Sequence, residues 1–169
     1  MDIAVATRPV QPDDRVLFRR LWPRLSPDTV YRRFHAPLHG LPPEAVERLV
    51  TVDHDLREAV VALVGGEIVG VARYNRSPDE PATAEFAIVV EDAWQGVGLG
   101  RQLLVELIDL AADRGVRALT ATVQRDNDAV IGLIRRLLPR STFLPDLDVF
   151  TVGSPLLRAP SRAPAVTHR

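Results

Sequence analysis

The sequence contains neither cysteine nor lysine. Without cysteine the chain has no disulfide framework, no thiolate nucleophile and no cysteine-based zinc site. All 21 basic residues are arginine, so no side chain of the protein carries a primary amine. We attribute the missing lysine mainly to a GC-rich genome, but any chemistry that modifies amines would find no side-chain target on this protein.

Long apolar runs and an excess of one charge sign are also missing. No stretch of about 18 uninterrupted apolar residues occurs, and Met1–Ala4 does not start a basic segment followed by an apolar one, so we expect a cytoplasmic protein and no membrane partner. The 21 basic residues are balanced by 22 acidic ones, which argues against nucleic acid as a partner. The seven arginines among residues 1–40 are interpreted as a solvated helix surface. The four histidines do not have metal-ligand spacing, so no metal is expected.

A chain of 169 residues is long enough for one domain with a single core. Apolar spacing and turn residues predict an α/β protein with a mixed sheet. Residues 1–158 would form the domain, and residues 159–169, rich in Pro, Ser, Ala and Arg, a flexible tail. The predicted strands are 4–6, 58–64, 67–74, a strand around Ile88, 117–123, 142–144 and 148–152; the predicted helices are 12–25, 27–34, 44–50, 99–114 and 127–138.

The most informative segment is the glycine-rich run Gln95-Gly96-Val97-Gly98-Leu99-Gly100-Arg101, which joins an apolar strand to an amphipathic helix. Glycines at alternate positions let backbone N–H groups converge on one point, and a helix N-terminus adds partial positive charge. This arrangement is typical of a phosphate cradle. A dinucleotide fingerprint would need glycine where Arg101 stands, and a Walker loop would end in Gly-Lys-Ser/Thr, so both are excluded. A tight turn without a ligand is the remaining alternative.

The pattern Q-x-x-G-x-G at Gln95–Gly100 resembles the acyl-CoA pyrophosphate loop of the GNAT family, the GCN5-related N-acetyltransferases. The resemblance extends from about Ala4 to Leu157 and is strongest to the acetyltransferase domain of bacterial Pat-type protein-lysine acetyltransferases. The segments that carry it are Leu25-Ser26-Pro27-Asp28-Thr29-Val30-Tyr31-Arg32-Arg33-Phe34, Gly70-Val71-Ala72-Arg73-Tyr74 and Ala84-Glu85-Phe86-Ala87-Ile88-Val89-Val90. It implies the GNAT fold, a mixed and mostly antiparallel sheet flanked by helices, with a strand-helix-strand core that binds acetyl-CoA.

The resemblance also implies a set of site residues. Glu85 would be the general base; the alternative from the residues themselves is an ion pair with Arg73 or Arg76. Asn127 would cap the last helix and bind the pantetheine arm, although capping alone would also explain it. Leu133 stands where many GNAT enzymes place a tyrosine as general acid, which puts a tyrosine-assisted mechanism in doubt. The residues implied to bind acetyl-CoA are Ile88, Val90, Gln95, Gly96, Val97, Gly98, Gly100, Arg101 and Asn127. Arg101 would bind through its backbone N–H, whether or not its guanidinium group also takes part.

The resemblance therefore implies direct transfer of an acetyl group to an amine. A protein lysine ε-amino group is the first candidate for the acceptor, and a small-molecule amine is the second. A non-catalytic acyl-CoA sensor is a third interpretation, against which the presence of Glu85 argues. Pat-type proteins often have a regulatory domain, so we also expect regulation, if there is any, from a separate chain or domain.

Overall fold

The computed structural model describes residues 4–157. The flexible tail expected at residues 159–169 lies outside this range. No helix among the described residues is long and apolar enough to cross a membrane. The strands are β1 (Ala6–Pro9), β2 (Arg57–Val64), β3 (Glu67–Arg76), β4 (Thr83–Val90), β5 (Ala118–Gln124), β6 (Thr142–Asp146) and β7 (Val149–Pro155). The α-helices are α1 (Arg15–Leu21), α2 (Pro27–Phe34), α3 (Pro43–Val50), α4 (Leu99–Asp113) and α5 (Asp128–Leu137).

The strands form one sheet in the order β1-β2-β3-β4-β5-β7-β6. The pair β4–β5 is parallel, and the other neighbouring strands are antiparallel. Helix α4 makes the crossover that a parallel pair requires. The mixed, mostly antiparallel sheet with a strand-helix-strand core is therefore confirmed.

Helices cover both faces of this sheet, and the side chains of each strand alternate between them. On one face α4 and α5 bury Leu103, Leu107 and Ile134 against the sheet. On the other face α1 and α3 bury Phe18 and Val46. The alternation places Ala59, Val61 and Val71 with the second cluster, and Val60, Ala62 and Ala72 with the first.

Two predicted elements differ from the structure. The first strand is not 4–6 but Ala6–Pro9, because its pairing with β2 runs from Ala6 opposite Leu63 to Pro9 opposite Val60. The continuous helix expected over 12–25 is divided into a 3-10 turn at Pro12–Asp14, helix α1 and a second 3-10 turn at Trp22–Arg24. The second break follows from Pro23, which has no N–H to continue the α-helical ladder.

Candidate active site

The candidate site is a gap between β4 and β5. These strands pair only over three positions, from Thr83 opposite Ala118 to Glu85 opposite Thr120. Beyond Glu85 they diverge, while β4 stays paired with β3 as far as Val90 opposite Gly70. One edge of β4 over residues 86–90 is therefore free of a neighbouring strand among the described residues.

The peptide groups of Ile88 and Val90 are directed into this gap. The amide of Glu91 donates to the carbonyl of Val69 on β3 at 2.8 Å, so Glu91 turns its backbone toward β3. Peptide direction alternates along a strand, and Val90 and Ile88 therefore turn theirs the opposite way. In agreement, the Val90 carbonyl accepts a hydrogen bond from Gln95 Nε2 at 3.0 Å, not one from a strand. A ligand with amide groups can bind such an edge in the manner of an added strand.

The glycine-rich loop lies at the open end of the gap. Gly96 and Gly98 have φ of 77° and 89°, the left-handed region that side chains disfavour. Gly98 is the N-cap of α4 and takes no side-chain cap, so the first N–H groups of this 15-residue helix have no capping side chain. Gly100 lies in the first turn, where an added Cβ would be 3.6 Å from Leu133 and 3.7 Å from Ile88. The loop thus presents N–H groups and a helix N-terminus to the gap.

Most residues predicted to bind the cofactor line one cleft of about 300 Å³ between β4, α5, the loop and α2. Eight of the nine are in its wall; Val97 is not, and its side chain is 68% exposed. Asn127 is buried and caps α5 by accepting a hydrogen bond from the Val130 amide at 3.3 Å. Leu133 is also buried on the cleft wall. A free strand edge for amide groups, followed by a cradle of N–H groups for a pyrophosphate, fits acyl-CoA along the length of this cleft.

Glu85 lies on the wall of an adjoining pocket that shares Ile88, Asn127 and Arg33 with the cleft. Its side chain is exposed at the last position where β4 and β5 pair. The alternative ion pairs are not formed: within residues 4–157 no basic nitrogen lies within 4.0 Å of the Glu85 carboxylate, and Arg76 pairs with Asp55 instead. The Glu85 carboxylate therefore faces this pocket without an ion-pair partner among the described residues.

Helix α2 is fixed to the loop by a hydrogen-bond network that the sequence did not reveal. The Asp92 carboxylate accepts from the Ser26 amide at 2.9 Å, from Ser26 Oγ at 2.6 Å and from Thr29 Oγ1 at 2.9 Å. Gln95 Nε2 donates to Thr29 Oγ1 at 3.2 Å as well as to Val90. Burial raises the pKa of Asp92, but the hydrogen bonds from Ser26 and Thr29 outweigh it, so the pKa lies below its ordinary value. The network positions α2 over the cleft.

Arg33 at the end of α2 does not belong to the solvated surface that was predicted for the N-terminal arginines. It is partly buried and lines both the cleft and the Glu85 pocket. Burial lowers the pKa of Arg33, while the nearby carboxylate of Glu85 raises it.

Tyr74, Tyr31 and His35 differ in their surroundings. Tyr74 is buried, and its hydroxyl donates to the Asp55 carbonyl at 3.0 Å. Tyr31 is exposed, and His35 lines the Glu85 pocket.

Comparison with known proteins agrees with this architecture. The family model described as Acetyltransferase (GNAT) family matches residues 17–138, and the chain belongs to that family. It is accordingly an acetyltransferase.

Three similar proteins show which members of the GNAT family this chain resembles. The GNAT domain of S. lividans PAT superposes with a TM-score of 0.83 and 27% identity, over 90% of each chain. Acetyltransferase PA5475 of Pseudomonas aeruginosa is 34% identical over 75% of this chain and 69% of its own length. An L-methionine sulfoximine/L-methionine sulfone acetyltransferase of the same species is 36% identical over 57% of this chain, a match that spans only 60% of that relative. The resemblance to the Pat-type domain is confirmed, and the relatives include both a Pat domain and an enzyme named for small molecules.

Proposed function

We propose that this protein transfers the acetyl group of acetyl-CoA directly to the ε-amino group of lysine side chains in other proteins. The observation that carries the proposal is Glu85, an exposed carboxylate without an ion-pair partner among the described residues, at the junction of the cleft and its adjoining pocket. The likeness to the GNAT domain of S. lividans PAT supports a protein acceptor.

The acceptor chemistry explains why a carboxylate is needed there. A lysine ammonium has a pKa of about 10.4, so at neutral pH nearly all of it lacks the lone pair required for attack. Glu85 accepts the ammonium proton, directly or through a water molecule. The amine nitrogen then forms a bond to the thioester carbonyl carbon, and the carbon–sulfur bond breaks with the electron pair leaving on the sulfur. The second proton that the nitrogen must lose passes to the departing thiolate or to water, which leaves a neutral amide and CoA. Such general base catalysis contributes on the order of 10²–10⁴-fold.

Other residues would bind and orient the cofactor. The N–H groups of the loop at Gly96, Gly98 and Gly100, with that of Arg101, would bind the pyrophosphate. The peptide groups of Ile88 and Val90 and the side-chain amide of Asn127 would hold the pantetheine arm. Acetyl-CoA supplies the activated acyl group when bound. Leu133 offers no proton, so the thiolate would leave without help from a side-chain acid at that position.

A small-molecule amine is the second candidate for the acceptor. The relative named for L-methionine sulfoximine and L-methionine sulfone supports it. The arginines around the pocket, described below, also favour an acceptor with a carboxylate of its own.

Glu85→Gln tests the role of the base. The amide keeps the shape of the side chain but cannot take the proton, so kcat should fall on the order of 10²–10⁴-fold while the affinity for acetyl-CoA and the Tm change little. Raising the pH should partly restore the mutant, because more of the acceptor is then neutral. Glu44→Gln, exposed on α3 away from the cleft, is the matched control. Near wild-type kcat in Glu85→Gln would remove Glu85 from the mechanism.

The acceptor can be identified by incubating the enzyme with labelled acetyl-CoA and the soluble proteins and metabolites of its host. Because the enzyme has no lysine, no labelled acetyl-lysine found by mass spectrometry can come from its own side chains. We expect labelled lysines on a few proteins with wild-type enzyme, and loss of the label with Glu85→Gln. Labelled metabolites without labelled proteins would favour the second candidate.

A further inference from the structure

Three arginines surround Glu85 on the sheet face covered by α1, α2 and α3. Ala59 and Val71 mark this face, and strand alternation places Arg57, Arg73 and Glu85 on it. In the register of the sheet, Arg57 and Glu85 both stand opposite Asn75, and Arg73 stands opposite Ala87. Arg33 reaches the same place from α2.

None of these three arginines forms an ion pair with a carboxylate among the described residues, although the Glu85 carboxylate is near enough to Arg33 to raise its pKa. Within residues 4–157 no carboxylate oxygen lies within 4.0 Å of a guanidinium nitrogen of Arg33, Arg57 or Arg73. Arg73 is only 7% exposed, and its buried Nη1 has no hydrogen-bond partner. A buried polar group without a partner is unusual in a folded protein and calls for an explanation.

Arg73 nevertheless remains a cation at neutral pH. Burial, together with the neighbouring positive charges of Arg33 and Arg57, lowers its pKa to about 10. A small cavity of about 30 Å³ lies against both Arg33 and Arg73, and its other lining residues are apolar. Arg33 and Phe34 also line the Glu85 pocket, so the two spaces share part of a wall at the end of α2. An anion near Arg33 and Arg73 would therefore lie beside the proposed base.

The acceptor amine enters this region as a cation, and three arginines repel it. A carboxylate attached to the same acceptor would offset the repulsion by pairing with the guanidinium groups. The cationic surroundings would then also favour loss of the ammonium proton, since like charges disfavour the charged form. Glu85 is two residues along β4 from the position opposite Arg73, about 7 Å along the strand. That separation fits the ε-amine and the carboxylate of free lysine, or a lysine with an adjacent acidic side chain.

We propose that Arg33 and Arg73, flanked by Arg57, form a carboxylate-binding part of the acceptor site, so that this enzyme selects amines accompanied by a nearby carboxylate. The inference rests on the proposed function of Glu85 in amine acetylation. It concerns the carboxylate that lies near the acceptor amine and pairs with the arginines, and it holds whether that carboxylate belongs to a free amino acid or to a protein.

Matched acceptors test the selectivity. One arm compares free lysine with 1,5-diaminopentane, which lacks the carboxylate; the other compares lysine peptides with flanking glutamate and with flanking glutamine. The enzyme should acetylate the acceptors of at least one arm, according to whether its natural acceptor is a free amino acid or a protein. In that arm we expect kcat/KM for the acceptor with the carboxylate to be tenfold or more above that for its partner without one. In Arg73→Met this preference should fall to about threefold or less, while the Kd of acetyl-CoA stays unchanged. Arg48→Gln, exposed on α3 and in the wall of neither the Glu85 pocket nor the small cavity, should keep the full preference.

The variant also reports on folding, because removal of an unpaired buried charge should leave the Tm unchanged or raise it. The proposal would be overturned if, in both arms, the acceptor with the carboxylate and the acceptor without it were acetylated with equal kcat/KM. An equal loss for every acceptor in Arg73→Met would also overturn it, since that would mean that Arg73 acts through Glu85. If only the free amino acid arm is active and shows the preference, the carboxylate site stands and the protein acceptor fails. If no amine is acetylated by wild-type enzyme, the proposed function itself fails.

Discussion

Leu133 occupies the position from which a tyrosine protonates the leaving thiolate in many enzymes of this family. It is buried against Gly100 in the cleft wall. The side chain therefore supplies packing and no proton. At the scale of one residue, the proposed mechanism then assigns proton transfer to Glu85 and the departure of the thiolate to its own low basicity.

Replacement of Leu133 tests this assignment. Leu133→Tyr and Leu133→Phe enlarge the side chain almost equally, and both should lower the Tm because the site is already packed. They differ in one hydroxyl, so the ratio of their kcat values isolates the effect of an added acid. We expect the tyrosine variant to exceed the phenylalanine variant by no more than a few-fold. A hundredfold advantage would show that protonation of the leaving group limits the reaction.

At the scale of the secondary-structure elements, the glycine-rich loop requires an unusual backbone conformation at Gly98. Its φ of 89° is the N-cap geometry that starts α4, and a Cβ there meets no atom of the protein within 4 Å. Gly98→Val therefore introduces backbone strain and a side chain beside the cradle.

Gly66→Val is a matched control, because Gly66 has a φ of 81°, also has open space, and lies in the β2–β3 turn away from the cleft. Acetyl-CoA should raise the Tm of the wild type and of Gly66→Val, since a ligand that binds only the folded state stabilises it. Gly98→Val should lose that shift. A shift by NADH or ATP and none by CoA would mean that the loop binds another ligand.

Thr29 and Ser26 link helix α2 to the segment at Asp92 and Gln95, and of the two only Thr29 bonds to both. Thr29→Val keeps the shape of the side chain but removes the hydroxyl that joins Asp92 to Gln95. We expect the free energy of unfolding to fall by about 1 kcal/mol. The KM for acetyl-CoA should rise several-fold with little change in kcat, because Gln95 then has less to hold it beside Val90. Thr142→Val, which loses one long hydrogen bond on β6, should leave the KM unchanged.

The sequence predicted the elements that local patterns determine and missed the features made by distant residues. The glycine loop, α4, the β2–β3 hairpin and the Asn127 cap depend on neighbours in the chain, and they are where the patterns placed them. The Asp92–Ser26 bond joins residues 66 positions apart, and no local signal encodes it. Arg73 sits in a strand pattern, but its burial depends on distant residues of α1, α2 and α3 that pack around it. The divergence of β4 from β5 is likewise a property of pairing register, which apolar spacing does not specify.

The charge of the whole molecule makes it sensitive to acid. Below the pKa range of the carboxylates, 22 acidic side chains become neutral while 21 arginines and four histidines remain positive. The resulting repulsion adds to the loss of individual ion pairs. Among these, Arg8 and Asp14 connect the edge strand β1 to the start of α1 through two hydrogen bonds of 2.7 and 2.8 Å.

Asp14→Asn measures how much of that sensitivity comes from one pair. The hydrogen bond from Arg8 lowers the pKa of Asp14 more than burial raises it, and the Gln11 amide lowers it further. A depressed pKa in the folded state means that the carboxylate stabilises the protein above about pH 4 and that this contribution is lost as the pH falls through the folded value. At pH 7 the variant should be less stable than the wild type by roughly 1–2 kcal/mol in urea unfolding.

Toward pH 2 the difference should shrink, because the wild-type Asp14 is then protonated as well. Asp13→Asn, next in the chain but exposed, should follow the wild-type curve at every pH. A constant difference between Asp14→Asn and the wild type from pH 7 to pH 2 would show that Asp14 stabilises the fold through its shape and hydrogen bonds alone. In that case the acid sensitivity of the molecule would arise from its total charge and not from the Arg8–Asp14 pair.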